Sequence, residues 1–240
     1  MKNLNKILIT FILVILISNN FLLFDHSFFK INKIYAGEQL GQTNFNDGIS
    51  LPWQVTESGT GKMDYSINNG ALEITIVNPG GKSNGGEDRW DCQFRHRDLK
   101  IVAGHQYKVE YEITSSNTGQ YYTKIGNLEG NVEVWHSNSS PNDFNDNWGL
   151  IPLEAGITKK VSMIFTTDKS LDVAEWNFHL GGDGEYTKGI CFPAGTKITF
   201  DNMSLYDMSG DENDYVNHSE FKKLQIFTNQ LGYFPLSIKK

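Results

Sequence analysis

One feature limits the fold of this chain before any other. Almost every apolar segment after the N-terminal region is short, rich in β-branched and aromatic residues, and closed off by glycine and asparagine. The segments "ALEITIV" (71–77), "YKVEYEIT" (107–114), "VSMIFTT" (161–167), "EWNFHL" (175–180) and "KITFDNMSLY" (197–206) have strand character. Between them lie "NNG", "NPGGKSNGG", "SSNTG" and "GGDGEY", which are turn chemistry. No window carries a sustained helical period, and no repeat of fixed length is visible. Many short strands with glycine-rich turns predict an all-β protein, an antiparallel sandwich or jelly roll.

The N-terminus is different. "MKNLNKILITFILVILISNNFLLF" opens with Lys2 and Lys6 and continues into an apolar run, the layout of a secretory signal. The run is short for a membrane span of about 20 residues. Ala36 in "YAG" offers a small residue for processing, so residues 1–36 are expected to be a signal peptide, a retained anchor being the alternative. The mature chain is then secreted, with roughly 200 residues, enough for one sizeable core. A net charge of −7 argues against nucleic acid as a partner, and no membrane partner is expected once the signal is removed. Cys92 and Cys191 are the only cysteines. Export would permit a disulfide between them, and separate buried sites suit them equally.

After Tyr206 the chain turns polar and acidic, and residues 208–223 are expected to form a linker. Residues 224–240 resume strand-like apolarity but are too few for a core of their own.

Motifs for common chemistries are missing. "PGGKSNGG" contains Gly-Lys-Ser without the phosphate-loop spacing or a following helix, and is a loop. There is no G-x-S-x-G elbow, and the six histidines lack zinc-ligand spacing. Glycoside hydrolysis needs two facing carboxyl groups. Glu73, Glu87, Asp91, Glu110 and Glu175 are available, although acids on strands mostly sit on solvated faces. The dense stretch "EDRWDCQFRHRDL" (87–99) has recognition chemistry without a nucleophile. Trp176 alternates with Phe178 and Leu180 on an apolar face, while Glu175, Asn177 and His179 take the polar one. Trp90 and Trp135 fall at strand margins.

Several stretches together resemble family 4 carbohydrate-binding modules. They are "GQTNFNDGISLPWQV" (41–55), "NNGALEITI" (68–76), "RWDCQFRHRDLKIVAGHQYKVEYEITS" (89–115), "EWNFHLGG" (175–182) and "ITFDNMSLYD" (198–207). The likeness covers residues 38–207. It implies a jelly-roll sandwich with a concave cleft, and no catalytic residues in this chain. Carried over by position, the cleft's stacking aromatics are Trp90 and Trp135, and its polar contacts are Gln93, Glu175 and His179. Arg95 and Arg97 share the Gln93 face by alternation and would reach sugar hydroxyls. Trp90 and Gln93 have opposite parity on a regular strand, so a bulge or a loop-borne Trp90 must re-aim one of them. The resemblance also implies a structural calcium away from the cleft, its ligands falling on Asn44, Asn46, the Gly70 carbonyl and Asp201. Such hard oxygen donors suit that ion, and an Asx-rich turn at "NFNDG" is the alternative.

The tail "TNQLGYFPLSIKK" (228–240) resembles the start of the immunoglobulin-like domain that precedes the catalytic domain in family 9 glycoside hydrolases. The whole thus looks like the front of a clostridial cellobiohydrolase or endoglucanase. The expected partner is a single β-glucan chain: amorphous cellulose, cello-oligosaccharides or mixed-linkage glucan, with xylan and β-1,3-glucan left open. A catalytic domain or cellulosomal complex would accompany a longer form. A small secreted glycosidase or lyase of jelly-roll fold and a non-binding structural sandwich are the rival readings.

Overall fold

The computed structural model describes residues 38–41, 43–136 and 149–209. The expected signal peptide, the immunoglobulin-like tail and all of the expected linker except Met208 and Ser209 lie outside the described residues.

Among the described residues, eleven strands form two antiparallel sheets. They are β1 (Gln54–Glu57), β2 (Lys62–Asn68), β3 (Ala71–Asn78), β4 (Cys92–Ile101), β5 (Gln106–Ser115) and β6 (Gly119–Gly126), then β7 (Glu133–His136), β8 (Ile151–Leu153), β9 (Lys159–Thr166), β10 (Leu171–His179) and β11 (Lys197–Asp207). One sheet runs β1-β4-β10-β6-β7, with β8 added alongside β6, and the other β2-β3-β11-β5-β9. Helix among the described residues is limited to two short 3₁₀ turns, at Lys82–Asn84 and Arg89–Asp91.

Period-2 patterning assigns the faces. Along β4, Cys92, Phe94, His96, Leu99 and Ile101 are buried, while Gln93, Arg95 and Arg97 point to the other side and are half-buried. Across β5, Tyr107, Val109, Tyr111 and Ile113 enter the core. Each such side chain contributes roughly 1.5–3 kcal/mol on leaving water. The core is unusually aromatic. Trp53 stacks on Phe94 with centroids 4.7 Å apart, Phe94 meets Phe200 of the opposite sheet at 4.6 Å, and Phe178 meets Phe200 at 5.0 Å.

Several polar groups in the core are paired across elements, as burial favours. The Tyr111 and Tyr121 hydroxyls lie 3.0 Å apart and join the two sheets, and burial pushes the Tyr121 hydroxyl up to about 12. His96 Nε2 is 2.9 Å from the Leu40 carbonyl. Cys92 and Cys191 are both free and buried, and burial raises each thiol to about 12. The Cys92 Sγ donates to the carbonyl of Asn78 at 3.4 Å.

The turn between β2 and β3 shows how sequence sets register. Asn69 and Gly70 both have positive φ (53° and 79°), the conformation a two-residue hairpin needs, and Asn68 pairs with Ala71. Register then places Tyr65 beside Ile74 and Ile67 beside Leu72.

Candidate functional site: a polar groove on one sheet

The outer face of the β1-β4-β10-β6-β7 sheet carries a groove of about 410 Å³. Its floor is built by alternation on three neighbouring strands. Gln93 and Arg95 come from β4, Glu175, Asn177 and His179 from β10, and Lys124 from β6. Registry aligns them: His179 pairs with Gln93 on one side and Tyr122 on the other, and Asn177 pairs with Arg95 and Lys124.

These groups hold one another in a relay across the sheet. Arg97 Nε donates to Glu175 Oε2 at 3.1 Å, and Arg95 Nη1 lies 4.0 Å from the same oxygen. The Asn177 amide donates to Glu175 Oε1 at 3.2 Å and to Gln93 Oε1 at 2.5 Å. Gln93 Nε2 in turn donates to the Trp90 carbonyl at 2.7 Å. Burial lowers the Arg95 guanidinium, the Arg97 charge adds to this, and Glu175 opposes it. Side chains so tethered are pre-organised, which reduces the entropy lost on binding.

The parity conflict between Trp90 and Gln93 is resolved by the 3₁₀ turn that precedes β4. Asp88 caps it, its Oδ1 accepting from Arg89 N at 2.7 Å, and Asp91 N donates to the Asp88 carbonyl at 3.0 Å. Trp90 therefore leaves the chain before strand alternation begins. It stands half-buried at the groove margin with Nε1 donating to Glu87 Oε2 at 3.1 Å.

Trp135 is a correction. The indole is 1% exposed and packs inside the sandwich, against Phe165 and Trp176. On β7 it pairs with core residue Ile125, so His136, opposite Lys124, takes the other face. Trp135 is a core residue and cannot be a sugar platform. Arg97 does not line the groove directly and reaches it through Glu175.

Other residues enter the groove without a signal as plain as strand alternation. A register shift between Ile125 and Gly126 brings Glu133 to the groove. Its Oε2 accepts from the Tyr122 hydroxyl at 2.6 Å and its Oε1 lies 3.5 Å from Lys124 Nζ. Burial raises the Tyr122 hydroxyl, and the Glu133 charge adds to it. The Arg89 guanidinium sits 4.1 Å over the Tyr122 ring. Asn177 is visible in the Glu175–His179 alternation. Tyr186, from the loop after β10, cannot be found that way. Asn177 Oδ1 and His179 Nδ1 are buried with no hydrogen-bond partner among the described residues. Burial, with Lys124 and Arg89 nearby, holds His179 well below the usual histidine range and so neutral.

The acids weighed for hydrolysis do not face one another across this groove. Glu73 pairs with Lys197 and Glu110 with Lys108, both on the other sheet. Asp91 is fully buried and accepts from the backbone of Gly81 and Glu87 at 2.7 and 2.8 Å. Glu87 holds the Trp90 indole.

The expected calcium ligands fall on neighbouring segments. Phe45 N donates to the Gly70 carbonyl at 3.1 Å, and Asn46 Oδ1 occupies the space that a side chain on residue 70 would need. Met203 N donates to the Thr43 carbonyl at 2.7 Å, which draws the strand bearing Asp201 towards Asn44. Asn44 Oδ1 accepts from Asn46 N at 3.2 Å and Asp201 Oδ1 from Asn202 N at 2.7 Å. All four donors are oxygens, as a hard cation requires, with Asp201 the single carboxylate. Among the described residues no group of three or more His, Cys, Asp or Glu side chains is placed to hold a metal ion.

Fold and groove together define the class: an antiparallel β-sandwich of jelly-roll type with a polar, aromatic-edged groove on one sheet. The chain resembles a family 4 carbohydrate-binding module. It is 29% identical over 218 residues to a cellulose 1,4-beta-cellobiosidase of Acetivibrio thermocellus, a match covering 85% of this chain and 21% of that protein. The chain thus spans about a fifth of that relative's length. Similar solved structures include a family 4 module, with TM-score 0.49 and 17% identity over 67% of this chain and 92% of the other. Another is the second N-terminal cellulose-binding domain of Cellulomonas fimi β-1,4-glucanase C, with TM-score 0.46 and 15% identity over 73% and 97% of the two chains. No family model matches the chain.

Proposed function

We propose that this domain is a non-catalytic module that binds single β-glucan chains and directs an attached or associated cellulase to plant cell-wall polysaccharide. The observation that carries this reading is the relay from Arg97 through Glu175, Asn177 and Gln93 to Trp90. A pyranose offers apolar C–H faces and a rim of hydroxyls that both donate and accept. The groove matches this with an indole margin and a floor of guanidinium, carboxylate, amide and neutral imidazole. Kinship with a cellobiosidase supports glucan over other glycans.

The use of the groove carboxylates supports binding rather than hydrolysis. Glu175 is engaged by Arg97, Arg95 and Asn177, and Glu133 by Tyr122 and Lys124. Both are engaged by neighbouring side chains, whereas hydrolysis needs a pair of carboxyl groups flanking the scissile bond. The N-terminal pattern supports export. Among the described residues no helix is long and apolar enough to cross a membrane.

Asn44, Asn46, the Gly70 carbonyl and Asp201 would hold a calcium ion on the far side of the sandwich from the sugar. Its contribution there is cross-linking of three chain segments, with no part in sugar contact.

Affinity electrophoresis through gels containing barley β-glucan, hydroxyethylcellulose, xylan or laminarin tests the function. Retardation by the first two is expected. Migration unchanged in all four gels, or release of reducing sugar from any of them, would overturn the reading.

A further inference from the structure

We propose that Tyr186 is the second aromatic platform of the groove, forming with Trp90 one angled wall against which two successive sugar rings of a twisted glycan lie. This rests on the glycan-binding reading and supplies the stacking partner that Trp135 cannot.

Tyr186 lines the groove and is 46% exposed, whereas most other large aromatic side chains among the described residues are buried. Its ring centroid lies 5.8 Å from that of Trp90, with 48° between the planes. Its loop is held in place through the Tyr186 backbone. Tyr186 N donates to Asp88 Oδ2 at 2.9 Å, and the Tyr186 carbonyl accepts from Arg89 Nη1 at 3.2 Å. Asp88 and Arg89 are 1% and 4% exposed, and they also begin the 3₁₀ turn that carries Trp90. The two platforms thus share one buried anchor. A further tie fixes the loop, with Ser83 N and Oγ donating to the Asp183 carboxylate at 3.0 and 2.6 Å.

The spacing decides how the pair works. A sugar ring sandwiched between two aromatic rings needs contacts of about 3.5–4.0 Å on each side, hence roughly 7–8 Å between the planes. At 5.8 Å nothing fits between Trp90 and Tyr186, so they act side by side. Platforms inclined at 48° match neighbouring rings that are themselves inclined. The flat ribbon of crystalline cellulose, with all rings parallel, can meet only one of them. The ligand class selected is a soluble β-glucan whose chain twists between successive residues, as in mixed-linkage glucan.

The test compares Tyr186→Ala, Tyr186→Leu and Tyr186→Phe with the parent by affinity electrophoresis in barley β-glucan and by pull-down on microcrystalline cellulose, alongside thermal unfolding. All three variants should melt with the parent, since the side chain is exposed. Tyr186→Ala should lose tenfold or more in affinity for the soluble glucan, Tyr186→Leu should lose severalfold, and Tyr186→Phe should stay within about threefold. Little of any variant or of the parent should bind the crystalline solid. Parent-like binding by folded Tyr186→Ala or Tyr186→Leu, or equal binding of the parent to both substrates, would overturn the angled wall. A parent that no glucan retards overturns the glycan reading, and this proposal with it. Retention of the parent together with loss of binding in Trp90→Ala supports the glycan reading, and the Tyr186 variants then decide the angled wall alone.

Discussion

The indole of Trp135 stacks on the ring of Phe165, centroids 5.9 Å apart and planes 27° from parallel, joining β7 of the groove sheet to β9 of the opposite sheet. Trp135 also meets Trp176 edge-on at 6.4 Å. Replacing it with alanine opens a cavity at the contact between two sheets. Trp135→Ala should cost about 3–5 kcal/mol of stability. Trp90→Ala should leave the unfolding transition almost unchanged while weakening glucan binding tenfold or more. Urea unfolding followed by cello-oligosaccharide titration separates the two. If Trp135→Ala is as stable as the parent, the core assignment is wrong.

Glu175 is the carboxylate that Arg95 and Arg97 share. Its side chain is 5% exposed, against 16% for Arg95 and 36% for Arg97. Glu175→Ala strands two like charges beside each other and frees the Asn177 amide. A loss of about 1–3 kcal/mol in stability is expected. Glucan affinity should fall further than stability does, because Gln93 and Asn177 lose their fixed orientation. Calorimetric titration against cellohexaose at a temperature where the variant is fully folded measures this, and parent-like affinity would remove the relay from the site.

Two buried histidines of the groove sheet, His179 and His136, predict a pH dependence with a definite sign. Burial lowers both His179 and His136 from the ordinary value of 6.5, assisted at His179 by Lys124 and Arg89 and opposed at His136 by Glu133. The unfolded chain takes up these protons first, so stability should fall as pH drops below 6.5. Glu38 works the other way. Burial raises its carboxyl above 4.5, so its protonation favours the folded state as pH falls. Urea midpoints between about pH 8 and pH 5 check the slope, which His179→Gln should flatten. A midpoint constant over that range would count against neutral buried histidines.

Calcium should stabilise the fold without touching affinity directly. An ion bound only by the folded state adds roughly 2.7 kcal/mol at a hundredfold excess over its Kd. Chelation should lower the melting temperature of the parent and leave Asp201→Ala unmoved. Identical melting curves with and without chelator would argue that Asn44, Asn46 and Gly70 form only a turn.

With an indole losing roughly 100 Å² of apolar surface at about 25 cal/mol per Å², each platform contributes ~2.5 kcal/mol before the cost of immobilising the ligand. A Kd for cellohexaose around 10⁻⁴ to 10⁻⁵ M is expected, measured by titration calorimetry.

Alternation along a strand is a local property, and the sequence determined it by itself. Successive side chains leave the backbone on opposite sides, so "CQFRHRDLKI" separated Phe94 and His96 from Gln93, Arg95 and Arg97 without any knowledge of the fold. The same holds for Trp176 and Phe178 against Glu175, Asn177 and His179. Tertiary structure decided which tryptophans could reach a ligand. Trp90 and Trp135 both stand at strand margins in the sequence, yet one is thrown out of alternation by a capped 3₁₀ turn and the other is paired with Ile125 across β6. A one-residue change in that pairing would exchange Trp135 with His136. Register there depends on a bulge between the neighbouring strands β6 and β7, and Tyr186 reaches Trp90 only because Asp88 and Arg89 hold its loop from about a hundred residues away. Contacts that remote are set by packing of the whole sandwich, and no local pattern encodes them.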